Sequence, residues 1–245
     1  MCGRYVSTTG PEELAAAYAV DDIVVDEPLP ARWNVAPTQP VYVVAARRRP
    51  EVRRQLGTMR WGLVPPWAES ASVGSRMINA RAETVATKRA FRSALLHRRC
   101  IVPADGFWEW QAAPEGKRPH AIRRSGGGPL AFAGVWEVWR DPAGGPPLRT
   151  VAILTTRANG ALEPVHHRMP VVLDEAAVAV WLDPAVNDPR RLLPLLEPSP
   201  DDGWEAWPVG SAVNAVANDG PGLLERVEPP TRSEPPDALF APPGG

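Results

Sequence analysis

The fold of this chain is constrained most by a long series of short apolar runs separated by turn residues. Turns rich in glycine and proline at 126–129 and 141–145 divide the middle of the series, as is typical of consecutive β-strands. The predicted strands are 3–7, 41–46, 55–63, 100–102, 107–110, 120–123, 130–139, 150–155, 170–173 and 203–209. Helical patterns are predicted at 11–18, 87–99, 174–182 and 189–196. A regular alternation of strand and helix is missing, so the sequence predicts an α+β fold on a mixed or antiparallel, barrel-like sheet with flanking helices.

Two polar, proline-containing stretches, 21–40 and 64–81, are predicted to be loops. A chain of 245 residues that is 44% hydrophobic can bury one full core, and we expect a single domain over 1–228. The segment 229–245 is dominated by proline and is predicted to be a disordered tail.

The sequence carries no sign of export or membrane insertion. It contains no apolar run of about 18 residues, and its first residues lack the charged and apolar regions of a secretory signal. Its two cysteines, Cys2 and Cys100, form no disulfide framework, and Cys100 lies in an apolar run typical of a core position. We therefore expect a cytoplasmic protein with no membrane association.

The net charge of −1 is nearly neutral, but the charged residues are unevenly distributed along the chain. Residues 1–125 contain 19 Lys/Arg against 12 Asp/Glu, whereas residues 126–245 contain 8 against 16. Basic residues are thus concentrated in the half that holds Cys2, which favours an anionic partner near that residue. Folding could still scatter these charges over a solvated surface.

Cys2 becomes the first residue once Met1 is removed, and then carries an α-amine and a thiol on one frame. Such an aminothiol can attack an aldehyde with nitrogen to give an imine, after which its own sulfur can close a thiazolidine ring. The ring closure is intramolecular, a class of reaction with effective molarities of about 10⁵–10⁸ M. The reference pKa of an α-amine is about 7.7–8.0, so part of it is neutral and nucleophilic near neutral pH.

Glu109 lies among the rings of the string GFWEW, and strand alternation places it on the same face as Phe107. Apolar surroundings disfavour the carboxylate, which is how a general acid is made at neutral pH; the alternative is a surface residue on a half-exposed strand. His166 and His167 are adjacent, so we expect at most one to share a site with Glu109. The spacing of His and Cys residues does not predict a metal site, and no cofactor motif occurs.

Two amides and two tryptophans complete the candidates. Asn34 and Asn79 lie in WNVAP and INAR, where each could bind the amine or a substrate oxygen, or could cap a turn. Trp61 and Trp67 bracket a Leu-Val-Pro-Pro segment. Because proline interrupts a strand ladder, at least one of these rings is predicted to lie on a loop, where it could stack a nucleobase.

Seven strings in this order resemble the SOS response-associated peptidase (SRAP) family: MCGRY, RWNVAPTQ, RWGLVPPW, INARAET, CIVPADGFWEW, VHHRMPVVL and VNAVANDGP. The resemblance extends from Cys2 to about Glu228 and implies the SRAP fold. It also implies a sensor that shields abasic sites in single-stranded DNA during DNA repair, by trapping the sugar aldehyde as a thiazolidine DNA–protein crosslink.

The resemblance also implies a role for each matched residue. Cys2 would supply amine and thiol, Asn79 would orient the amine, Glu109 would relay protons, and His166 would assist sugar opening or reversal of the link. The implied DNA contacts are Arg4, Asn34, Trp67, Arg81 and Arg168. His167 stands where many relatives carry an acidic residue, which leaves the local charge open.

Three functions are compatible with these residues. The first is covalent capture of abasic single-stranded DNA by a monomer, with lyase-like or self-reversing chemistry. The second is a thiol peptidase with Cys2 as nucleophile and His166 as base, acting on peptides or only on its own Met1. The third is a non-covalent single-strand binder that uses the arginines and Trp67.

Overall fold

Strand pairing dominates the fold of the computed structural model, which describes residues 2–48, 50–114 and 116–228. The strands in this part of the chain are β1 (Tyr5–Ser7), β2 (Asp22–Ile23), β3 (Arg32–Val35), β4 (Pro40–Arg48), β5 (Val52–Trp61), β6 (Asn79–Arg81), β7 (Arg99–Ala104), β8 (Gly106–Ala113), β9 (Gly116–Arg124), β10 (Leu130–Trp139), β11 (Leu148–Arg157), β12 (Arg168–Pro170), β13 (Val172–Leu173) and β14 (Trp204–Pro208). The α-helices are α1 (Pro11–Ala17), α2 (Arg92–His97), α3 (Glu175–Leu182) and α4 (Pro189–Leu192). Short 3₁₀ turns occupy Ala71–Arg76, Leu193–Leu196, Ser211–Asn214 and Pro221–Leu224.

The larger sheet closes on itself. Its strands follow the order β12-β11-β10-β7-β4-β5-β2, and β11 also pairs in parallel with β5, through Thr150 with Arg60 and Val151 with Trp61. Strands β11, β10, β7, β4 and β5 therefore form a bonded ring. The predictions of an α+β fold and of a barrel-like mixed sheet are confirmed.

The smaller sheet has the order β14-β9-β8-β1-β3, and its pairings are antiparallel. Strand β1 lies between β8 and β3 in this sheet. The residues just before Tyr5 therefore continue along the edge of β8. This position brings the chain's beginning against β8, the strand that carries Glu109.

Three of the ring strands, β7, β10 and β11, are buried on both faces over most of their length, which explains their long apolar runs in the sequence. On β10, Phe132 packs against Tyr5 and Phe107 of the smaller sheet. Its neighbours Ala131 and Ala133 belong to a second apolar cluster that includes residues of α1, α2 and α3. The period-2 alternation of a strand thus divides the core into a sheet-facing and a helix-facing half.

Three sequence predictions of local structure were wrong. Segment 21–40 contains β2 and β3, segment 64–81 contains a 3₁₀ turn and β6, and the predicted helix 87–99 is regular only as α2. Strands of two to four residues show no local periodicity, because they form only where a partner is available: β3 pairs with β1, and β6 pairs in parallel with β11. The helices predicted at 11–18 and 174–182 are confirmed, and 189–196 divides into α4 and a 3₁₀ turn.

Among the described residues, no helix combines the length and the apolar character that crossing a bilayer requires. The proline-rich segment 229–245 lies outside the described residues, so the domain boundary at 228 stays a prediction.

Gly62 connects β5 to the segment that carries Trp67 and Asn79, and it leaves no room for a side chain. Its φ is +122°, and a Cβ atom there would lie 2.5 Å from the carbonyl oxygen of Gly74. We expect Gly62→Ala to lower the free energy of unfolding by about 2–3 kcal/mol, because backbone strain adds to a clash with backbone. Denaturant unfolding measures the change, with Gly126→Ala as control because nothing lies within 4 Å of that position. Equal stability of the two variants would contradict this account.

Candidate active site

Cys2 is fully buried and lies next to β8 and β6. In β1, Tyr5 pairs with Phe107, and the backbone N–H of Trp108 donates to the carbonyl of Arg4 at 3.1 Å. Continuing this register toward the N-terminus places residue 3 opposite Glu109, and the charge of Glu109 acts on the thiol of the next residue, Cys2. Burial raises the pKa of the Cys2 thiol well above its usual range, and the charge of Glu109 raises it further. The thiol is therefore held as S–H.

Asn79, on β6, binds the backbone of Cys2 on the side away from β8. It begins β6, which pairs in parallel with Ile153 and its neighbours on β11. Its side-chain Nδ2 donates to the Cys2 carbonyl oxygen at 2.7 Å. Its Oδ1 is buried and accepts no hydrogen bond from the described residues. This acceptor is available to an N–H group at the start of the chain.

Glu109 is 2% exposed, and burial raises the pKa of its carboxyl group. The aromatic residues on either side of it lie on β8 with it; Trp108 is fully buried and Trp110 is half-buried. Glu109 is therefore buried and is not the surface residue on a half-exposed strand that the sequence left open as the alternative. A carboxyl group in this position can hold a proton at a pH where an exposed one would have lost it.

His166 is the histidine of the pair that reaches Glu109. Its Nδ1 lies 3.9 Å from Glu109 Oε1 and accepts a hydrogen bond from the backbone N–H of Arg168 at 3.0 Å. Burial lowers the pKa of the His166 imidazole. His167 is exposed, and its ring stacks on His166 with a centroid distance of 4.4 Å. The expectation that only one histidine shares the site with Glu109 agrees with this arrangement.

A cavity of about 360 Å³ opens at this cluster, lined by Glu109, Trp110, Lys117, His166 and Asn214. Trp110 Nε1 donates to Asn214 Oδ1 at 2.7 Å and so shapes one wall. Sequence reasoning missed Trp110, Lys117 and Asn214 as lining residues. Trp110 and Asn214 both lie in strings that resemble the SRAP family, so the sequence offered a reason to select them. The sequence around Lys117 offers no such reason. A larger groove of about 870 Å³ lies between α1 and α3 and contains none of the predicted site residues.

Arg4 and Asn34 hold the segment that carries Asn214. Arg4 Nη1 donates to Asn34 Oδ1 at 2.9 Å and to the Val213 carbonyl at 3.0 Å. Asn34 is 1% exposed, and its Nδ2 lies within 3.2 Å of three carbonyl oxygens, those of Val213, Ala215 and Asn218. Any contribution of Asn34 to DNA binding is therefore exerted through the 213–218 segment, because its amide is already occupied.

Arg81 and Arg168 differ in how accessible their guanidinium groups are to a phosphate. Arg81 is exposed at the end of β6, two residues after Asn79. Arg168 forms a bidentate ion pair with Glu83, and its Nη2 also donates to the Thr155 carbonyl at 2.6 Å. A phosphate at Arg168 would have to compete with Glu83, whereas Arg81 faces solvent.

Trp67 lies on a tight turn outside the cavity, with the guanidinium of Arg89 4.7 Å from its ring centroid. It is 50% exposed, whereas Trp61 is fully buried on β5. The prediction that one of these two rings lies on a loop is confirmed. An exposed indole beside a cation is suited to stacking a base next to a phosphate.

Within the described ranges, no group of three or more His, Cys, Asp or Glu side chains is arranged to hold a metal ion. The side chains that meet at this site are the thiol of Cys2, the amide of Asn79, the carboxyl group of Glu109 and the imidazole of His166.

The order of the recognised strings agrees with comparisons to known proteins. A family model described as SOS response associated peptidase (SRAP) matches residues 1–216. The chain belongs to this family. It is 39% identical over 226 residues to the Abasic site processing protein YoqW of Bacillus subtilis (strain 168), covering 92% of this chain and 99% of that relative. It is 30% identical over 233 residues to the Abasic site processing protein YedK of Escherichia coli (strain K12), covering 93% and 100%.

SRAP-family relatives extend to vertebrates, since the chain is 31% identical over 265 residues to the Abasic site processing protein HMCES of Gallus gallus, covering 93% of this chain and 78% of that relative. A crystal structure of a protein from Bacteroides thetaiotaomicron is similar with a TM-score of 0.80 at 23% identity, covering 93% and 100% of the two chains. This second likeness concerns the fold alone.

Proposed function

We propose that this SRAP-family protein processes abasic sites in single-stranded DNA by capturing their aldehyde covalently at Cys2 after Met1 has been removed. The observation that carries the proposal is the convergence of Cys2, Asn79 and Glu109 at one end of β1. The names of three relatives, each at least 30% identical over more than nine-tenths of this chain, support the choice of substrate.

The capture balances without an oxidant or a cofactor. The neutral Cys2 amine adds to the aldehyde carbon of the opened sugar, and the resulting hydroxyl leaves as water with a proton from Glu109. The N–H proton of the iminium then returns to the Glu109 carboxylate, which gives the imine and restores the acid. The Cys2 sulfur then adds to the imine carbon while the S–H proton passes to the nitrogen, which closes the thiazolidine. One water is lost overall. His166, beside Glu109, is placed to move the proton that opens the sugar or reverses the link.

The buried thiol favours this order of steps over thiol peptidase chemistry. A peptidase cysteine attacks as a thiolate and needs a depressed pKa, whereas burial raises the pKa of Cys2. In the proposed capture the amine attacks first, and the sulfur reacts only with an imine already held beside it. The family name still supports one part of the peptidase alternative, which is the cleavage of Met1 from the protein's own N-terminus.

The DNA path proposed here passes the exposed Arg81 and Trp67 on its way to the cavity. Contacts between cationic side chains and phosphates fix position without reading sequence, so affinity should fall as salt rises. We expect the partner to be single-stranded DNA that contains an abasic site, bound by a cytoplasmic monomer.

Intact-mass spectrometry of the purified protein before and after mixing with an abasic oligonucleotide tests the proposal. We expect the chain to lack Met1, and the product to have the mass of protein plus DNA minus one water under denaturing conditions. The same oligonucleotide with an ordinary base serves as control and should give no such product. Equal behaviour of the two oligonucleotides would support the non-covalent alternative and reject capture.

A further inference from the structure

Lys117 and Asn214 line the cavity beside Glu109 and His166, and the proposed capture uses neither of them. In the β8–β9 ladder, Lys117 pairs with Ala112, which lies two positions after Trp110 on β8. Residues two apart on a strand share a face of the sheet, so Lys117 is a diagonal neighbour of the Trp110 indole. Lys117 is exposed, and it is the one lysine or arginine among the described residues that line the cavity.

The Asn214 amide is oriented by the indole of Trp110. Its Oδ1 accepts the hydrogen bond from Trp110 Nε1 at 2.7 Å, and an indole nitrogen can only donate, so the oxygen end of the amide must face the ring. The backbone of this residue is held by Arg4, whose Nη2 donates to the Asn214 carbonyl at 3.3 Å. Because Asn214 is exposed, the Nδ2 end of its amide is left accessible at the cavity with two N–H donors.

The charges around the cavity favour an anion. Glu109 is the one acid among the described lining residues, and burial raises the pKa of its carboxyl group. Burial also lowers the pKa of the His166 imidazole, and the positive charge of Lys117 acts in the same direction, so the ammonium group is within electrostatic reach of His166. The lining residues therefore carry a net positive charge whenever Glu109 holds its proton.

We propose that Lys117 and the Asn214 amide form a subsite for one of the two DNA phosphates that flank the abasic sugar. The inference deepens the proposed function and rests on it for the identity of the ligand. The unbridged oxygens of a phosphodiester accept hydrogen bonds, and an ammonium group and an amide NH2 are both donors. With the phosphate held at this wall, the adjacent sugar lies in the cavity that contains Glu109 and His166.

The test is binding of the whole processed protein to a single strand that carries tetrahydrofuran in place of the abasic sugar. This analogue keeps both flanking phosphates and has no aldehyde, so affinity is measured without capture. We expect Lys117→Gln to weaken binding by about 5–10-fold. The slope of log affinity against log salt should also fall by about 0.7, which corresponds to one phosphate contact on a single strand.

Asn214→Asp is the second variant. Aspartate keeps an oxygen for the Trp110 N–H but replaces the donor at the subsite with a carboxylate, so binding should weaken by about 10-fold or more. Arg191→Gln and Asn187→Asp are matched controls, because they make the same changes of charge at exposed positions on or beside α4. Both controls should bind within about twofold of wild type, since distant exposed charges are screened by salt.

A neutral methylphosphonate, placed at each phosphate of the strand in turn, identifies the phosphate that is bound. At one flanking position it should weaken binding by wild type about as much as Lys117→Gln does, and it should have little further effect on that variant. The proposal is overturned if Lys117→Gln and Asn214→Asp bind as tightly as the controls, or if every methylphosphonate weakens wild type and Lys117→Gln equally. Failure of capture would be visible separately, as an aldehyde-bearing strand that shows these differences in affinity but forms no crosslink. A wild-type protein that does not bind the strand at all would overturn both proposals.

Discussion

Replacing Cys2 by alanine should abolish the adduct that survives denaturation. Processed Cys2→Ala keeps an α-amine, so it can still form an imine with the sugar, but it has no sulfur to close the ring. Imines hydrolyse, whereas the thiazolidine is held by a second bond to the same carbon. We therefore expect no product in a denaturing gel without reductant, and a product again when borohydride is added to reduce the imine.

Cys100→Ala is a closely matched control for this experiment. Both cysteines are fully buried and belong to the same apolar cluster, so both substitutions remove a buried sulfur and leave a small cavity. Any loss of adduct caused by weaker packing would be similar in the two variants. An unreduced adduct from Cys2→Ala at the wild-type yield would remove the sulfur from the mechanism, and loss in both variants would indicate a folding effect.

The sequence predicted β10 and β11 well because each strand is ten residues long and most of its residues are buried. It failed at β3 and β6, which are short and depend on partners far away in the chain. The same limit applies to function: Asn79 is placed at Cys2 by the parallel pairing of β6 with β11, a contact that no local pattern contains.

Candidate site residues were predictable where residue type alone restricts the chemistry. Cys2 could be chosen because an aminothiol has few ordinary roles, whereas Glu109 stayed open between a general acid and a surface residue until the structure showed its burial. Lys117 could not, since an exposed lysine on a strand is common and becomes informative only beside His166. The ion pair of Arg168 with Glu83 could not be predicted from the sequence either, because the two residues are 85 positions apart in the chain.

Replacing Glu109 by glutamine should slow adduct formation by about 100-fold or more, because a glutamine amide cannot supply the proton that leaves with water. The wild-type rate should fall as pH rises through the raised pKa of Glu109, and the variant should lack this alkaline limb. Rates measured by quenched gel assay across pH give both quantities. Glu205→Gln, on an exposed pair with Arg123, is the control and should change neither.

The stability of the same variant should change in the opposite direction from its activity. Burial raises the folded-state pKa of Glu109 above its unfolded value, so the stability linked to the protonated form is present at low pH and is lost as pH rises through the folded pKa. Glutamine stays neutral at every pH and avoids the cost of a buried carboxylate. Glu109→Gln should therefore unfold at higher denaturant than wild type at alkaline pH, and at similar denaturant at acid pH. A variant that captures DNA normally, or that is less stable at alkaline pH than at acid pH relative to wild type, would show that Glu109 does not hold its proton as the site requires.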